Sequence, residues 1–342
     1  MTLVDAVAVV LWTGVTIYAV FGGADFGAGI WDLLAGTTER GQRPRETIDS
    51  ALSPVWEANH VWLIFTLVTL WTGFPSAFAA ITSTLYIPLS LALLGIILRG
   101  AGFAFRHEVR TVGRRRLFGG VLATSSVVTP FFLGTVAGSV ASGRVPAGIA
   151  TRDPIDSWLN PTSITCGVLA VAVCAFTAAA FLLHWSVRSD RSDMAGYFRV
   201  RTVIAAVVAG VIALAAIFVI REDAPELYDE LTGGAALVIA LSALAGLVTI
   251  IRLWTGRDAY LRPLAVVAVA TVMWGWGLAS YPDILVGELT LEAAAAPSVV
   301  LAGLLVVTGI AGVVVLPALV LLFVLDTRGM LGVPSEEATE AH

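Results

Sequence analysis

The sequence predicts an all-α polytopic membrane protein. Hydrophobic residues make up 58% of its 342 residues, charged residues make up 13%, and the mean hydropathy is +0.89. These values lie outside the usual range of soluble domains. The apolar residues form nine runs of the length that a helix needs to cross a bilayer, about 20 residues. We therefore expect one transmembrane domain over 1–329, followed by a disordered, acidic cytoplasmic tail over 330–342.

The elements follow from these runs in chain order. The first is rich in small residues, and Gly23 and Gly27 have the spacing that lets another helix approach closely. The second and third are separated only by Gly73-Phe74-Pro75, where proline ends one helix and begins the next. We expect these two helices to be antiparallel neighbours, and we predict the other six spans from their length and hydropathy. The nine predicted spans are roughly 6–34, 55–73, 76–105, 118–141, 161–186, 200–220, 234–254, 262–281 and 297–325.

The basic residues predict the orientation of the chain. All 20 are arginines, and nine spans place sixteen of them in one set of loops and the C-terminus. The opposite loops hold Arg144, Arg152 and Arg221, and Arg99 lies within the third span. Arginine-rich loops stay in the cytoplasm, so we expect the N-terminus outside and the C-terminus inside. The net charge of −5 reflects the loops and tail and gives no sign of a nucleic-acid partner.

An aspartate interrupts the first span at Gly23-Ala24-Asp25-Phe26-Gly27-Ala28-Gly29. Asp25, Gly29 and Asp32 share one helix face, which must look into protein because lipid offers no hydrogen-bond donor to a carboxylate. Asp25 can pair with an arginine on another helix, such as Arg99, or it can handle protons or a cofactor. Both roles stay open at this level. Asp32 is nearer the end of the span, and we expect it to be solvated.

The second span opens on Pro54-Val55-Trp56-Glu57-Ala58-Asn59-His60-Val61-Trp62-Leu63. Glu57 and His60 are one helical turn apart and can share a proton, with Asn59 beside them. Such groups are costly at the mouth of a membrane helix unless they are paired, hydrated or used. The pattern predicts either a proton-binding site near the cytoplasmic surface or an interfacial cap in which Glu57 interacts with the helix dipole.

The remaining candidate ligands predict no metal or haem site built by this chain alone. His60, His107 and His184 are scattered and form no spaced pair within a helix. Cys166 and Cys174 lack the spacing of a metal site or of covalent haem attachment, and we expect them to be packing residues. No nucleotide-binding glycine motif is present.

Four motifs within the first 106 residues resemble subunit II of the cytochrome bd-type quinol oxidases. Two are the runs around Asp25 and Glu57. The others are Gly73-Phe74-Pro75 in the tight turn and Leu98-Arg99-Gly100-Ala101-Gly102-Phe103-Ala104-Phe105-Arg106 at the end of the third span. The rest of the chain is similar to that family in span count, length and hydropathy.

The resemblance implies two four-helix groups plus one peripheral helix, and a haem-bearing subunit I as partner. In that family subunit I holds two b-type haems and one d-type haem, oxidises quinol and reduces oxygen to water. Subunit II holds no haem; in some members it adds acids to a cytoplasmic proton path and holds a quinone. On this resemblance Glu57 matches the acid of the path and Asp25 the glycine-flanked acid of the first helix. Gly22 stands where some relatives carry a further acid.

The partners implied are subunit I, quinol as substrate of the complex, and membrane lipid, with small accessory subunits and a bound quinone left open. Two other functions fit the residues. A proton-coupled secondary transporter would use Asp25, Glu57 and His60 near the midplane, although no inverted repeat is evident. An assembly factor would share the partner and differ only in whether Glu57 matters. The expected location is the bacterial cytoplasmic membrane.

Overall fold

The computed structural model describes residues 2–36, 39–108, 112–149, 153–189, 191–257 and 260–327. The tail expected over 330–342 lies outside these residues. The described chain is helical except for one small antiparallel hairpin. The elements are α1 (Leu3–Leu34), α2 (Glu39–Gly73), α3 (Pro75–Thr84), α4 (Tyr86–Glu108), α5 (Val112–Ala141), α6 (Pro161–Arg188), α7 (Ser192–Asp223), α8 (Pro225–Thr232), α9 (Ala236–Trp254), α10 (Leu261–Ser280), β1 (Asp283–Leu285), β2 (Leu289–Thr290), α11 (Leu291–Ala294) and α12 (Ser298–Thr327).

Seven helices of the described part are long and apolar enough to cross a membrane, and the number rises to eight if one bent pair counts as a span. The predicted all-α polytopic membrane protein is thereby confirmed. Seven of the nine predicted spans correspond to one helix each: α1, α5, α6, α7, α9, α10 and α12. The difference from nine lies in the segment between α1 and α5.

The chain turns sharply between α2 and α3. The chain bends by 117° between the helices Asn59–Gly73 and Pro75–Thr84. Pro75 is the first residue of α3, where its missing N–H costs no hydrogen bond and its fixed φ suits a helix start. The backbone N–H of Ala296 donates to the carbonyl of Gly73 at 2.9 Å, which ties this turn to the loop before α12.

The predicted third span, 76–105, is divided at Leu85 into α3 and α4. Pro88 explains the break, since it has no N–H for the carbonyl of Thr84 and its ring clashes with that turn of a continuous helix. As a result α4 packs chiefly against α5. The expectation that 55–73 and the whole of 76–105 are antiparallel neighbours is therefore wrong: α2 contacts α3, and α4 belongs beside α5.

The long helices form two groups. α6, α7, α9 and α10 make a ring in which each helix packs on two others, and α1, α2, α4 and α5 form the other group through the α1–α2, α1–α5 and α4–α5 contacts. α6 joins the groups by packing on α1 and α5, and α12 lies outside against α1 and α2. This arrangement agrees with two four-helix groups plus one peripheral helix.

Small residues let α1 and α6 pack closely. A side-chain carbon on Gly27 would overlap the backbone carbonyl of Cys174, and one on Gly23 would lie 3.5 Å from Thr177. Trp31 donates from its indole nitrogen to the carbonyl of Ala175 at 2.8 Å one turn further along. The glycines of the first span therefore seat α1 directly on the backbone of α6.

The N-terminal half of α2 ties the two groups together. Arg45 of α2 pairs with Asp32 at the end of α1, and Arg43 pairs with Asp193 at the start of α7 at 2.6 Å. We call this stretch, 39–50, the α2 strap. The sequence predicted no helix between the spans 6–34 and 55–73, because the polar residues of the α2 strap hide one that continues into the membrane.

Candidate functional site

The site is built around a buried ion pair. Asp25 of α1 is 2% exposed and Arg99 of α4 is 6% exposed. Nη2 of Arg99 donates to Oδ1 of Asp25 at 2.5 Å, and Nε donates to Oδ2 at 3.2 Å. Nη2 also donates to the backbone carbonyl of Asp25 at 2.6 Å. This two-pronged geometry is the strongest form of a carboxylate–guanidinium contact.

The rest of the Arg99 guanidinium is held by α5 and by a ring of α1. Nη1 donates to Oγ of Ser126 at 2.5 Å, and Ser126 donates in turn to the carbonyl of Leu122 at 2.6 Å. The Phe26 ring lies 5.2 Å from the guanidinium carbon. Arg99 thus joins α1, α4 and α5 through charged hydrogen bonds inside the apolar part of the molecule. A guanidinium N–H without an acceptor there would cost free energy.

Asn59 of α2 completes the contacts of Asp25. Its Nδ2 donates to Oδ2 of Asp25 at 3.3 Å, and the side chain is 1% exposed. A side-chain carbon on Gly22 would lie 3.2 Å from Oδ1 of Asn59. An acid at position 22 would displace this amide, which gives a physical reason for the glycine.

Two polar atoms near the pair have no hydrogen-bond partner within the described residues. They are Oδ1 of Asn59 and the hydroxyl of Tyr18, which lies two turns before Asp25 on α1. A buried polar atom without a partner costs about 1–3 kcal/mol. Tyr18 was not predicted from the sequence, where its i, i+7 spacing to Asp25 is the only signal.

The structure brings three of the five sequence candidates into contact. Asp25, Arg99 and Asn59 are in contact, and His60 follows Asn59 on α2 as a half-buried side chain. Glu57 belongs to the helical backbone of α2, but its side chain lies outside the described residues. Glu57 is therefore placed only by its position on α2.

Asp32 differs from expectation. It is 7% exposed, and one of its oxygens lies 3.1 Å from Nε of Arg45. The expectation that it is solvated is wrong, because α2 begins at Glu39 and brings Arg45 back over the end of α1.

A second polar cluster lies at the opposite helix ends and was missed from the sequence. Asp223, the last residue of α7, accepts from Nη2 of Arg144 at 2.8 Å and from the Thr162 hydroxyl at 2.6 Å. The Thr162 N–H donates to the same oxygen at 3.1 Å. Arg144 also borders a cavity of about 190 Å³ lined by Asp153, Asp156 and Ser157. These contacts join the α5–α6 connection to the end of α7, which is distant in sequence, so no local pattern marks them.

Metal ligands do not gather in the described residues, where no group of three or more histidine, cysteine or acidic side chains could hold a metal ion. The described site is a network of hydrogen bonds and charges. It holds a carboxylate and a guanidinium as an ion pair among the membrane helices and links α1, α2, α4 and α5 through this pair.

Comparison with known proteins decides the family. The model of the family described as cytochrome bd terminal oxidase subunit II matches residues 3–325. The chain belongs to this family. It is similar to the solved structure of bd oxidase from Geobacillus thermodenitrificans, with a TM-score of 0.79 and 26% identity over 95% of this chain and 99% of that one.

Two relatives show how far the sequence likeness extends within this cytochrome bd subunit II family. Cytochrome bd ubiquinol oxidase subunit 2 of Bacillus subtilis is 29% identical over 153 residues, which is 44% of each chain. Cytochrome bd-I ubiquinol oxidase subunit 2 of Escherichia coli K12 is 26% identical over 171 residues, 48% of this chain and 44% of the relative. The matched segments thus span less than half the length of each relative. Family membership favours an oxidase subunit over the proton-coupled transporter.

Proposed function

We propose that this chain is subunit II of a membrane cytochrome bd-type quinol:oxygen oxidoreductase in the bacterial cytoplasmic membrane. The family match over residues 3–325 carries the proposal, and the names of the two ubiquinol oxidase relatives support it. Residues 1–329 act as one transmembrane unit that pairs with a haem-bearing subunit I. Quinol oxidation and oxygen reduction to water take place in that partner, which holds the b-type and d-type haems.

The first role of the chain is to complete and stabilise the complex. Its own fold supplies the support for this role, since Arg99 links α1, α4 and α5 through one buried network. Charged hydrogen bonds of this kind are short and strong, so they hold the three helices in a fixed arrangement. The chain thereby presents a fixed surface to its partner.

The second role is cytoplasmic proton delivery. Glu57 takes up the proton, His60 tunes its protonation one turn away, and Asp25 is the inner acid of the route. One observation supports this order: Asn59, two residues after Glu57, contacts Asp25 directly. Acids inside membrane helices commonly mark proton relays.

The test is purification of the chain from its native membrane in mild detergent. We expect a haem-bearing partner to co-purify, to give a reduced-minus-oxidised difference spectrum of b-type and d-type haems, and to consume oxygen when quinol is added. A monodisperse, haem-free chain with a measurable transport activity would overturn the proposal.

A further inference from the structure

A group of basic side chains lies where α6 ends and α10 begins. Arg188 is in the last turn of α6, His184 is one turn before it, and Arg262 is in the first turn of α10. α6 and α10 pack against each other, and Arg262 lies against Phe181, one turn before His184 on α6. We call these three residues the α6–α10 basic cluster. The guanidinium charges of Arg188 and Arg262 repel one another unless an anion lies between them.

Aromatic rings hold the guanidinium groups at this end of the molecule. The guanidinium carbon of Arg262 lies 4.4 Å from the centre of the Phe181 ring, and that of Arg191 lies 5.1 Å from the Trp185 ring. A guanidinium stacked on a ring keeps its N–H edge free for other acceptors. The ring contact therefore positions Arg262 without using its N–H donors.

Carboxylates do not neutralise this cluster within the described part of the chain. Neither Arg188 nor Arg262 takes part in an ion pair there. Two acids at the same helix ends, Asp32 and Asp193, are already engaged by the arginines of the α2 strap. The N-terminus of α10 has no side-chain cap, so its dipole adds to the positive potential.

We infer that the α6–α10 basic cluster is a binding site for the phosphate group of an anionic lipid. A phosphate diester offers unprotonated oxygens that a guanidinium binds with two parallel hydrogen bonds. Basic pockets between membrane helices suit such headgroups on the cytoplasmic side. The orientation predicted from the loop arginines decides only which leaflet of the bilayer supplies the lipid. The inference does not depend on quinol oxidation.

The surroundings favour a lipid over free phosphate. Val187 and Trp254 are exposed apolar side chains at the same helix ends, and Ile251 continues the exposed apolar surface of α9 toward the membrane interior. Tryptophan prefers the headgroup level of a bilayer. A ligand held here by its phosphate would therefore have apolar surface beside it for acyl chains.

The experiment measures phosphatidylglycerol binding to the detergent-purified protein, with whatever subunits co-purify, at physiological salt. Arg262→Gln should weaken binding about tenfold or more, which is the scale of a lost charged hydrogen-bond pair. Arg188→Gln should weaken it in the same direction and, because Arg188 is exposed, carries little risk of unfolding. The control is Arg257→Gln, which removes one exposed charge from the α9–α10 loop and should change binding less than about fivefold.

Inorganic phosphate and phosphatidylcholine distinguish the sources. We expect phosphatidylcholine to bind weakly in all variants, and inorganic phosphate to compete only at high concentration. Competition by inorganic phosphate as strong as that by phosphatidylglycerol would contradict a lipid site and leave a site for soluble phosphate. Equal losses in Arg262→Gln, Arg188→Gln and Arg257→Gln would reduce the cluster to diffuse surface charge. Unchanged binding in both cluster variants would also overturn the inference.

Discussion

The carboxylate of Asp25 and the guanidinium of Arg99 are both removed from solvent and lipid, and each supplies the counter-charge of the other. Their pairing was one of two roles open from the sequence, since each is a charge inside an apolar run. The contacts of Asn59 and Ser126 were not predictable, because the register between packed helices is a tertiary property. Asp32 was misjudged for the same reason: its partner lies on a helix hidden by polar composition.

The first prediction concerns this pair. Asp25→Asn or Arg99→Gln alone leaves one buried charge unpaired, which costs about 3–5 kcal/mol. We expect either single variant to lower the thermal stability and yield of the purified protein strongly. The double variant should recover part of the loss, because it removes both charges. A double variant as unstable as the two single losses combined would show that the two side chains act independently.

The second prediction concerns Glu57 and rests on the proposed proton route. Glu57→Gln keeps size and hydrogen bonding but removes the titrating group, so assembly and haem content should survive. Oxygen consumption should fall about 100-fold, the lower end of the range for loss of a proton-transferring side chain. Glu46→Gln makes the same change at an exposed site on the same helix and should leave turnover near normal. Normal turnover in assembled Glu57→Gln would leave this residue as an interfacial cap.

At the scale of elements, the length of the apolar runs predicted seven of the helices correctly. Proline residues decide where the chain turns and breaks in the segment of α2, α3 and α4. Pro75 marked the turn after α2 in the sequence, whereas the effect of Pro88 on the preceding turn was overlooked and hid the break at Leu85. Hydropathy alone also could not show that α2 starts at Glu39, since its first turns are polar. Glycine spacing did anticipate the close approach of α1 to another helix.

The third prediction tests that approach. Gly27→Ala places a methyl group against the carbonyl of Cys174, so α1 and α6 must separate. Overpacking of this kind costs about 1–3 kcal/mol, and we expect a lower melting temperature in detergent. Gly210→Ala is the matched control, because nothing lies within 4 Å of the added carbon in α7. It should be neutral or stabilising, by up to about 1 kcal/mol. Equal melting temperatures for both variants would contradict the packing.

At the scale of the whole molecule, charge divides between the two ends of the helix bundle. Arg188, Arg252 and Arg262 lie at one end of α6, α9 and α10, and the Arg144–Asp223 cluster lies at the other. The number of arginines in each set of loops was countable from the sequence. Their gathering into clusters was not, because it depends on which helix ends are neighbours.

The fourth prediction concerns orientation. The sixteen-to-three division of loop arginines predicts that the C-terminus and the loop with Arg114, Arg115 and Arg116 are cytoplasmic. A cytoplasm-active reporter fused after Arg328 or inserted at that loop should be active. A periplasm-active reporter inserted between Ser142 and Asn160 should also be active, because that connection lies on the opposite side. The reverse pattern would overturn the proposed direction of insertion.

The order of synthesis decides when the ion pairs of the α2 strap and of Asp25 can form. Arg43 is synthesised about 150 residues before Asp193, so at 5–20 residues per second the strap waits roughly 8–30 s for its far anchor. Arg99 follows Asp25 by about 74 residues, which leaves the aspartate without its counter-charge for roughly 4–15 s. The helices of the group around α1 can therefore pack together during translation, before the second group has been synthesised. The ion pair between Arg43 and Asp193 is then among the later contacts to form. Until α4 has been synthesised, the nascent chain must keep Asp25 away from lipid without its arginine partner.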